Sequence, residues 1–344
     1  MKTKINLLAK NNSKSLRLIP WSLLKNYIRI AIVIIPALFF LTACKEGVVP
    51  PMRIGMHVWP GFEPLFLARQ GKSLDERDFR LVEFSNGSEV GRAFRNGTLE
   101  AACLTLDEIF YMIQDGMDPV ILIVMDDSYG ADAVLARPEI KDLSGLKNKR
   151  IAVEVSAVEA YMLTRSLQKA GLTINDVTPV YLPIEKHILA YKDGLVDAVV
   201  TYEPVRTKLL AMGAVEVFNS SMIPGEIVDV LVVHRDYLEG HPERGISLKK
   251  AWFAALEQMH RSPRESAKFM AIREQITTEE FEKVLQKLHF PNEQENQDLI
   301  EGAVPKLMVV AENLKTVMLE SGLLHENIPI KPLFVIPETM KTER

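Results

Sequence analysis

Short β-prone runs and helix-period runs alternate twice over along this chain, and that alternation restricts it to an α/β architecture. The first unit shows the pattern. Ile54 to Val58 reads as an apolar strand that breaks at Trp59-Pro60-Gly61. Pro64 suits the first turn of a helix, Leu65, Leu67 and Ala68 are apolar, and Gly71 ends the run. Strand, tight turn and helix make the first half of a βαβ unit. In open parallel sheets, ligands sit outside the carboxyl ends of the strands. Chain order alone therefore puts Trp59 and Glu63 at a ligand mouth. Each also has a structural reading, Trp59 as a packing residue and Glu63 as an acid favoured at a helix N-terminus.

The first series continues with strands expected at 80–84, 101–104 and 120–125 and helices at 64–70, 88–96 and 106–114. A second series has strands at 150–153, 177–182, 197–200 and 215–218 and helices at 157–170, 185–193 and 203–212. The links 131–138 and 226–234 are themselves β-prone, as in Ala133-Val134-Leu135 and Ile227 to Val233. From 247 to 321 the chain reads as all-helical, punctuated by Pro263, Pro291 and Pro305. The expected organisation is two α/β lobes, 52–133 plus 230–344 and 134–229, joined by two crossover strands that act as a hinge over a cleft, with a C-terminal helical segment.

Residues 1–43 hold seven basic residues and no acid, and Ile30 to Ala43 is an uncharged, mostly apolar run. Fourteen residues fall short of the roughly 20 that span a bilayer, so the leader reads as an export signal. Its end, Leu41-Thr42-Ala43-Cys44, resembles the bacterial lipobox, which implies acylation of Cys44 and a membrane-anchored lipoprotein facing the periplasm or cell exterior; 44–51 then reads as a tether. Beyond residue 43 the chain carries 34 basic against 45 acidic residues, a balance that excludes nucleic acid as an expected partner. With Cys44 acylated, Cys103 has no disulfide partner and lies in an apolar strand. No His/Cys cluster has metal-ligand spacing, Gly87-x-x-x-Gly91 lacks the Lys of a phosphate loop, and neither a Gly-x-Ser-x-Gly nor a His-Glu-x-x-His motif occurs. No metal, cofactor or catalytic residue is expected, and the molecule is read as a monomer.

Four stretches carry a family resemblance: Ile54-Gly-Met-His-Val-Trp-Pro-Gly-Phe-Glu-Pro-Leu65, Ala93-Phe-Arg-Asn-Gly-Thr-Leu-Glu-Ala-Ala-Cys-Leu-Thr105, Leu143-Ser-Gly-Leu-Lys-Asn-Lys-Arg-Ile-Ala-Val153 and Gly194-Leu-Val-Asp-Ala-Val-Val-Thr-Tyr-Glu-Pro204. The chain resembles, over about 52–235, the solute-binding proteins of ABC importers, in the branch of alkanesulfonate, nitrate and thiamine-precursor binders. The resemblance implies a two-lobe type II periplasmic-binding-protein fold with the C-terminal helices packed on lobe one, a small-molecule ligand and an ABC permease as partner. A ligand-sensing lipoprotein that signals to a membrane receptor has the same sequence signature. A thiamine-pyrimidine-synthase-like enzyme would need a Cys-rich motif that this chain lacks.

The positions just after the expected strands form the rim of the cleft. They include Trp59, Glu63, Ser88, Thr105, Asp107 and Ser128 from lobe one, Glu154, Ser156, Tyr202 and Glu203 from lobe two, and Asp229 on the returning crossover. Helix N-termini favour anions, yet no Arg or Lys stands among these positions, and acids hold several. Carboxylates with aromatics suit a cation. The expected ligand is therefore a small polar molecule, an amine or cationic heterocycle, stacked on Trp59 and paired with one or two acids. Ser88, Thr105 and Ser156 also suit helix caps, and Asp107, Glu154 and Glu203 suit first helical turns.

Overall fold

The computed structural model describes residues 49–155, 158–337 and 340. Cys44, the leader before it and Ser156 lie outside the described residues.

Two mixed sheets, each flanked by helices, organise the chain from residue 50 onward. The first is built on β1 (Met52–His57), which runs parallel to β2 (Phe79–Phe84) on one side and β3 (Ala101–Thr105) on the other. Next to β3 comes β10 (Val228–His234), antiparallel both to β3 and to β4 (Pro119–Ser128). The second sheet has β6 (Arg150–Val153) parallel to β7 (Thr178–Tyr181) and β8 (Ala198–Tyr202). In it, β5 (Asp132–Ala136) runs antiparallel between β8 and β9 (Val215–Asn219). The chain thus leaves the first sheet between Ser128 and Asp132 and returns between Asn219 and Val228.

Burial explains the strand sequences. Val120 to Met125 in β4 is buried throughout, as a strand covered on both faces requires. Its cover includes the C-terminal segment: α8 (Pro242–Arg261), α11 (Glu293–Ile300) and a 3-10 turn at Lys331–Phe334 all pack on β4. The fully buried Trp252 of α8 belongs to the same core, and α8 also packs on α1 (Glu63–Gln70). The stretch expected to be all-helical contains one strand, β11 (Leu288–His289), which pairs with Asp127 and Ser128 of β4. Two residues have no periodicity to read; only the neighbouring edge makes them a strand.

Asn296 of α11 extends that edge by another means. Its Oδ1 accepts from the Val124 amide at 2.8 Å and its Nδ2 donates to the Val124 carbonyl at 2.7 Å. The amide side chain replaces a neighbouring strand. Asn296→Ala leaves both backbone groups buried and unpaired, and is expected to lower the stability by about 2–4 kcal/mol, read as a shifted midpoint in urea. An unshifted midpoint would mean that the edge finds another partner.

Candidate functional site

The ends of three adjacent strands in the first sheet converge on one spot. Asp229 of β10 stands opposite Asp126 of β4 on one side and Thr105 of β3 on the other. Trp59, in the turn after β1, donates from Nε1 to Asp126 Oδ2 at 3.2 Å. Gly61 makes this contact possible, because a Cβ there would overlap both the Asp126 carboxylate and the indole nitrogen. α3 (Leu106–Gln114) begins at the same place. The amide and the hydroxyl of Thr105 each donate to Glu108 Oε2 at 3.0 Å, which fixes one carboxylate oxygen of Glu108 beside the strand end.

The second sheet presents a matching group. Asp132 at the start of β5 pairs in register with Tyr202 at the end of β8. Glu159 lies in the first turn of α4 (Val158–Lys169), and Glu154 follows β6, where it accepts from the Ile184 amide at 3.2 Å. Rings cross between the groups: Trp59 and Tyr202 meet edge to face at 5.7 Å between centroids, and His57 lies 5.4 Å from Tyr202.

Between them is a chamber of about 10 Å³, room for about one water. His57, Trp59, Glu108, Asp132, Glu159, Tyr202 and Asp229 are among its walls, and among the described residues no Lys or Arg is. The carboxyls are buried and incompletely paired. Among the described residues, neither oxygen of Glu159, only 1% exposed, has a hydrogen-bond partner, and one oxygen each of Asp107, Asp126, Asp132 and Asp229 also lacks one.

Burial consequently raises the proton affinity of the whole group. It pushes Asp107 up to about 6, Asp132 to about 7 and Asp126 to about 8, the last against the opposing pull of the Trp59 hydrogen bond. Glu108, Glu159 and Asp229 lie well above the usual carboxylate range, through burial first and neighbouring acids second. Asp126 and Asp229 are cross-strand partners, and the neighbouring Asp126 adds to the upward push on Asp229. His57 is pushed down to about 4 by burial, so it adds no positive charge near neutrality. The site offers negative charge, or protons to give up, in a dry aromatic setting.

The rim residues read from the sequence divide. Trp59, Thr105, Tyr202 and Asp229 line the chamber, and Asp107 and Glu154 are buried beside it. Glu63 instead binds Arg273, whose Nε lies 3.1 and 3.0 Å from its two oxygens, while Arg273 also holds Glu83. Glu203 takes Arg206 at 2.9 Å and the Thr207 amide at 3.0 Å. Ser128 shares a 2.9 Å hydrogen bond with Ser220 where the chain changes sheets. Ser88 does not cap its helix. Asn86 caps α2 (Gly87–Arg95) by accepting from the Glu89 amide at 2.9 Å, and Ser88 donates to the Val155 carbonyl at 3.2 Å.

His57, Glu108, Asp132 and Glu159 were missed by the rim reading. Thr105-Leu-Asp-Glu108 and Ser156-Ala-Val-Glu159 both have the S/T-x-x-E spacing of a capping box just after a strand. At Thr105 that spacing carries Glu108 back to the strand end, and in both stretches the spacing itself was the available signal.

A profile of the NMT1-like family matches residues 46–272. Among curated proteins, a putative aliphatic sulfonates-binding protein of Escherichia coli (strain K12) is 24% identical over 252 residues, which covers 71% of this chain and 77% of that one. Among solved structures, the alkanesulfonate-binding protein SsuA from Xanthomonas axonopodis pv. citri bound to MOPS has a TM-score of 0.71 at 20% identity, covering 83% of this chain and 98% of that one. The desulfurization enzyme DSZB has a TM-score of 0.61 at 17% identity, with 85% and 98% covered. At these identities the structural likenesses are of fold.

Proposed function

The chain belongs to the NMT1-like family and shares its fold with periplasmic binding proteins, and from that premise we propose that it captures a small organic cation between its two sheets for an ABC import system. The observation that carries the reading is the chamber wall, to which both sheets contribute carboxyls and neither contributes a cation. Two of the named relatives are described as sulfonate-binding proteins, and a sulfonate calls for a cluster of donors; this chamber would repel one.

The mechanism is a population shift. Bringing the two sheets together sets Glu108 of the first against Glu154 and Glu159 of the second, like charge on like charge. An empty cleft closes only by taking up protons. An ammonium group placed among these carboxyls supplies the missing charge from a single ligand that touches both sides, and its preference for the closed form sets the equilibrium. Trp59 and Tyr202 add ring faces and edges that exclude water and favour a cation. The links at 129–131 and 220–227 are where the sheets would hinge.

The reading is of binding without chemistry. Cys103 is buried in β3 and burial keeps its thiol protonated, so it offers no thiolate. In the same proposal Cys44 is the lipid anchor that holds the protein at a membrane; palmitate labelling that persists in Cys44→Ser would remove that part.

A thermal-shift screen of the full-length protein at pH 8 tests the function. Primary amines and cationic heterocycles are expected to raise the melting temperature, since a ligand at 100 times its Kd stabilises by about 2.7 kcal/mol. A shift from methanesulfonate or nitrate, with none from any amine, would refute the cationic reading and leave the fold untouched.

A further inference from the structure

A second cavity of about 220 Å³ adjoins the acidic chamber, and Gly87 and Glu108 are walls of both. The absence of a side chain at Gly87 leaves room for the Glu108 carboxylate at this shared wall, because a Cβ there would overlap it. The outer cavity has the opposite charge. Arg92 and Arg95, neighbours on one face of α2, line it with Ser88, Tyr111 and Val155, and Glu108 at the shared wall is its one acid. Arg95 reaches Asp115 at 3.4 Å. Arg92 makes no ion pair among the described residues. The inner walls are carboxyls from four elements, whereas the outer cavity presents two guanidinium groups with ten donors and one partner acid between them.

We infer that the solute is a zwitterion, with its ammonium group in the inner chamber and an acidic group, carboxylate or sulfonate, in the outer cavity against Arg92 and Arg95. The inference rests on the cation-binding reading and extends it to the other end of the ligand. A simple amine satisfies only the inner half. A simple anion satisfies only the outer half and meets Glu108 at the shared wall. The polarity is directional: the positive end is the buried one. Because both arginines are partly in water, the anionic end contributes most at low ionic strength.

Isothermal titration of the full-length protein at pH 8 and low salt decides the matter. The probes are 4-aminobutanoate, 5-aminopentanoate and 6-aminohexanoate, each set beside the amine of the same chain length, with pentanoate as the bare anion. At least one amino acid is expected to bind roughly tenfold more tightly than its matched amine, the gain of a charge-assisted hydrogen bond. In the Arg92→Ala/Arg95→Ala double variant its affinity should fall to that of the amine. Matched amines that bind as tightly as every zwitterion overturn the inference and leave the amine reading standing. A zwitterion advantage that survives the double variant overturns the assignment to the two arginines. Failure of all amines and amino acids to bind refutes the underlying reading, and the inference with it.

Discussion

Replacing Glu159 by glutamine should make the ligand-free protein more stable at pH 8 and weaken amine binding roughly a hundredfold. The carboxyl of Glu159 is buried, neither of its oxygens has a partner, and Glu154, Glu108 and Asp132 all oppose its ionisation. At pH 8 it must therefore either hold a proton that water would take or bury a charge among like charges. Glutamine keeps the shape and does neither. Relief of about 1–2 kcal/mol corresponds to a few degrees in Tm, at roughly 2–4 °C per kcal/mol for a chain of this size class. The same change removes one partner of a buried charge pair in the complex, for which losses of about 2–5 kcal/mol are usual. Differential scanning calorimetry and titration with a bound amine read the two effects. A lower Tm together with unchanged affinity would show that Glu159 is a structural residue with no part in the cleft.

Amine affinity should also rise with pH between 6 and 8, while the stability of the empty protein falls over the same range. The sign follows from the direction of the shifts. Asp107, Asp132 and Asp126 have their proton affinity raised to about 6, 7 and 8 by burial, and Glu108, Glu159 and Asp229 are raised well above the usual carboxylate range. A carboxyl raised in the folded state holds its proton more tightly there than in the unfolded chain. Its contribution to stability is complete below the unfolded value near 4 and is lost as pH climbs through the folded value. An arriving ammonium displaces such protons. Each proton released makes binding about tenfold tighter per pH unit, so one proton gives roughly a hundredfold between pH 6 and 8. The amine itself stays charged throughout, given the reference value of about 10.4 for an ammonium of the lysine type. Titration in two buffers of different ionisation heat counts the protons directly. A flat profile would mean that the acids of the empty cleft ionise in the ordinary way.

The two predictions also divide the amino acids by what sequence could reveal. The α/β alternation was legible because β1, β3 and β6 are apolar runs ended by turn residues or caps, and each is followed by a helix with its own period. An acid and a ring at the strand ends were legible because topology there decides what faces a ligand, as for Asp229 and Tyr202. The fates of Glu63 and Glu203 were not. Each is an acid after a strand, as Asp229 is near one, but Glu63 meets Arg273 from 210 residues away and Glu203 meets Arg206 at the next turn. Whether an acid in a helix's first turn is paired or left facing the cleft depends on which cation the fold delivers. For Glu159 and Glu108 it delivers none.

The position of β10 in the first sheet has a consequence in time as well as in space. The second sheet uses only residues between Asp132 and Asn219, so all its strands exist once the chain has reached that point. The first sheet cannot be finished then, because β10 belongs between β3 and β4 and has yet to appear. During synthesis or threading from the N-terminus, the inserted half is complete while the half that begins first still lacks its middle. Asp126 and Thr105 wait on opposite sides of that gap, and Asp229 joins them only when the missing strand arrives. The acidic chamber is therefore among the last features to form, assembled by non-local contacts that are slow to close.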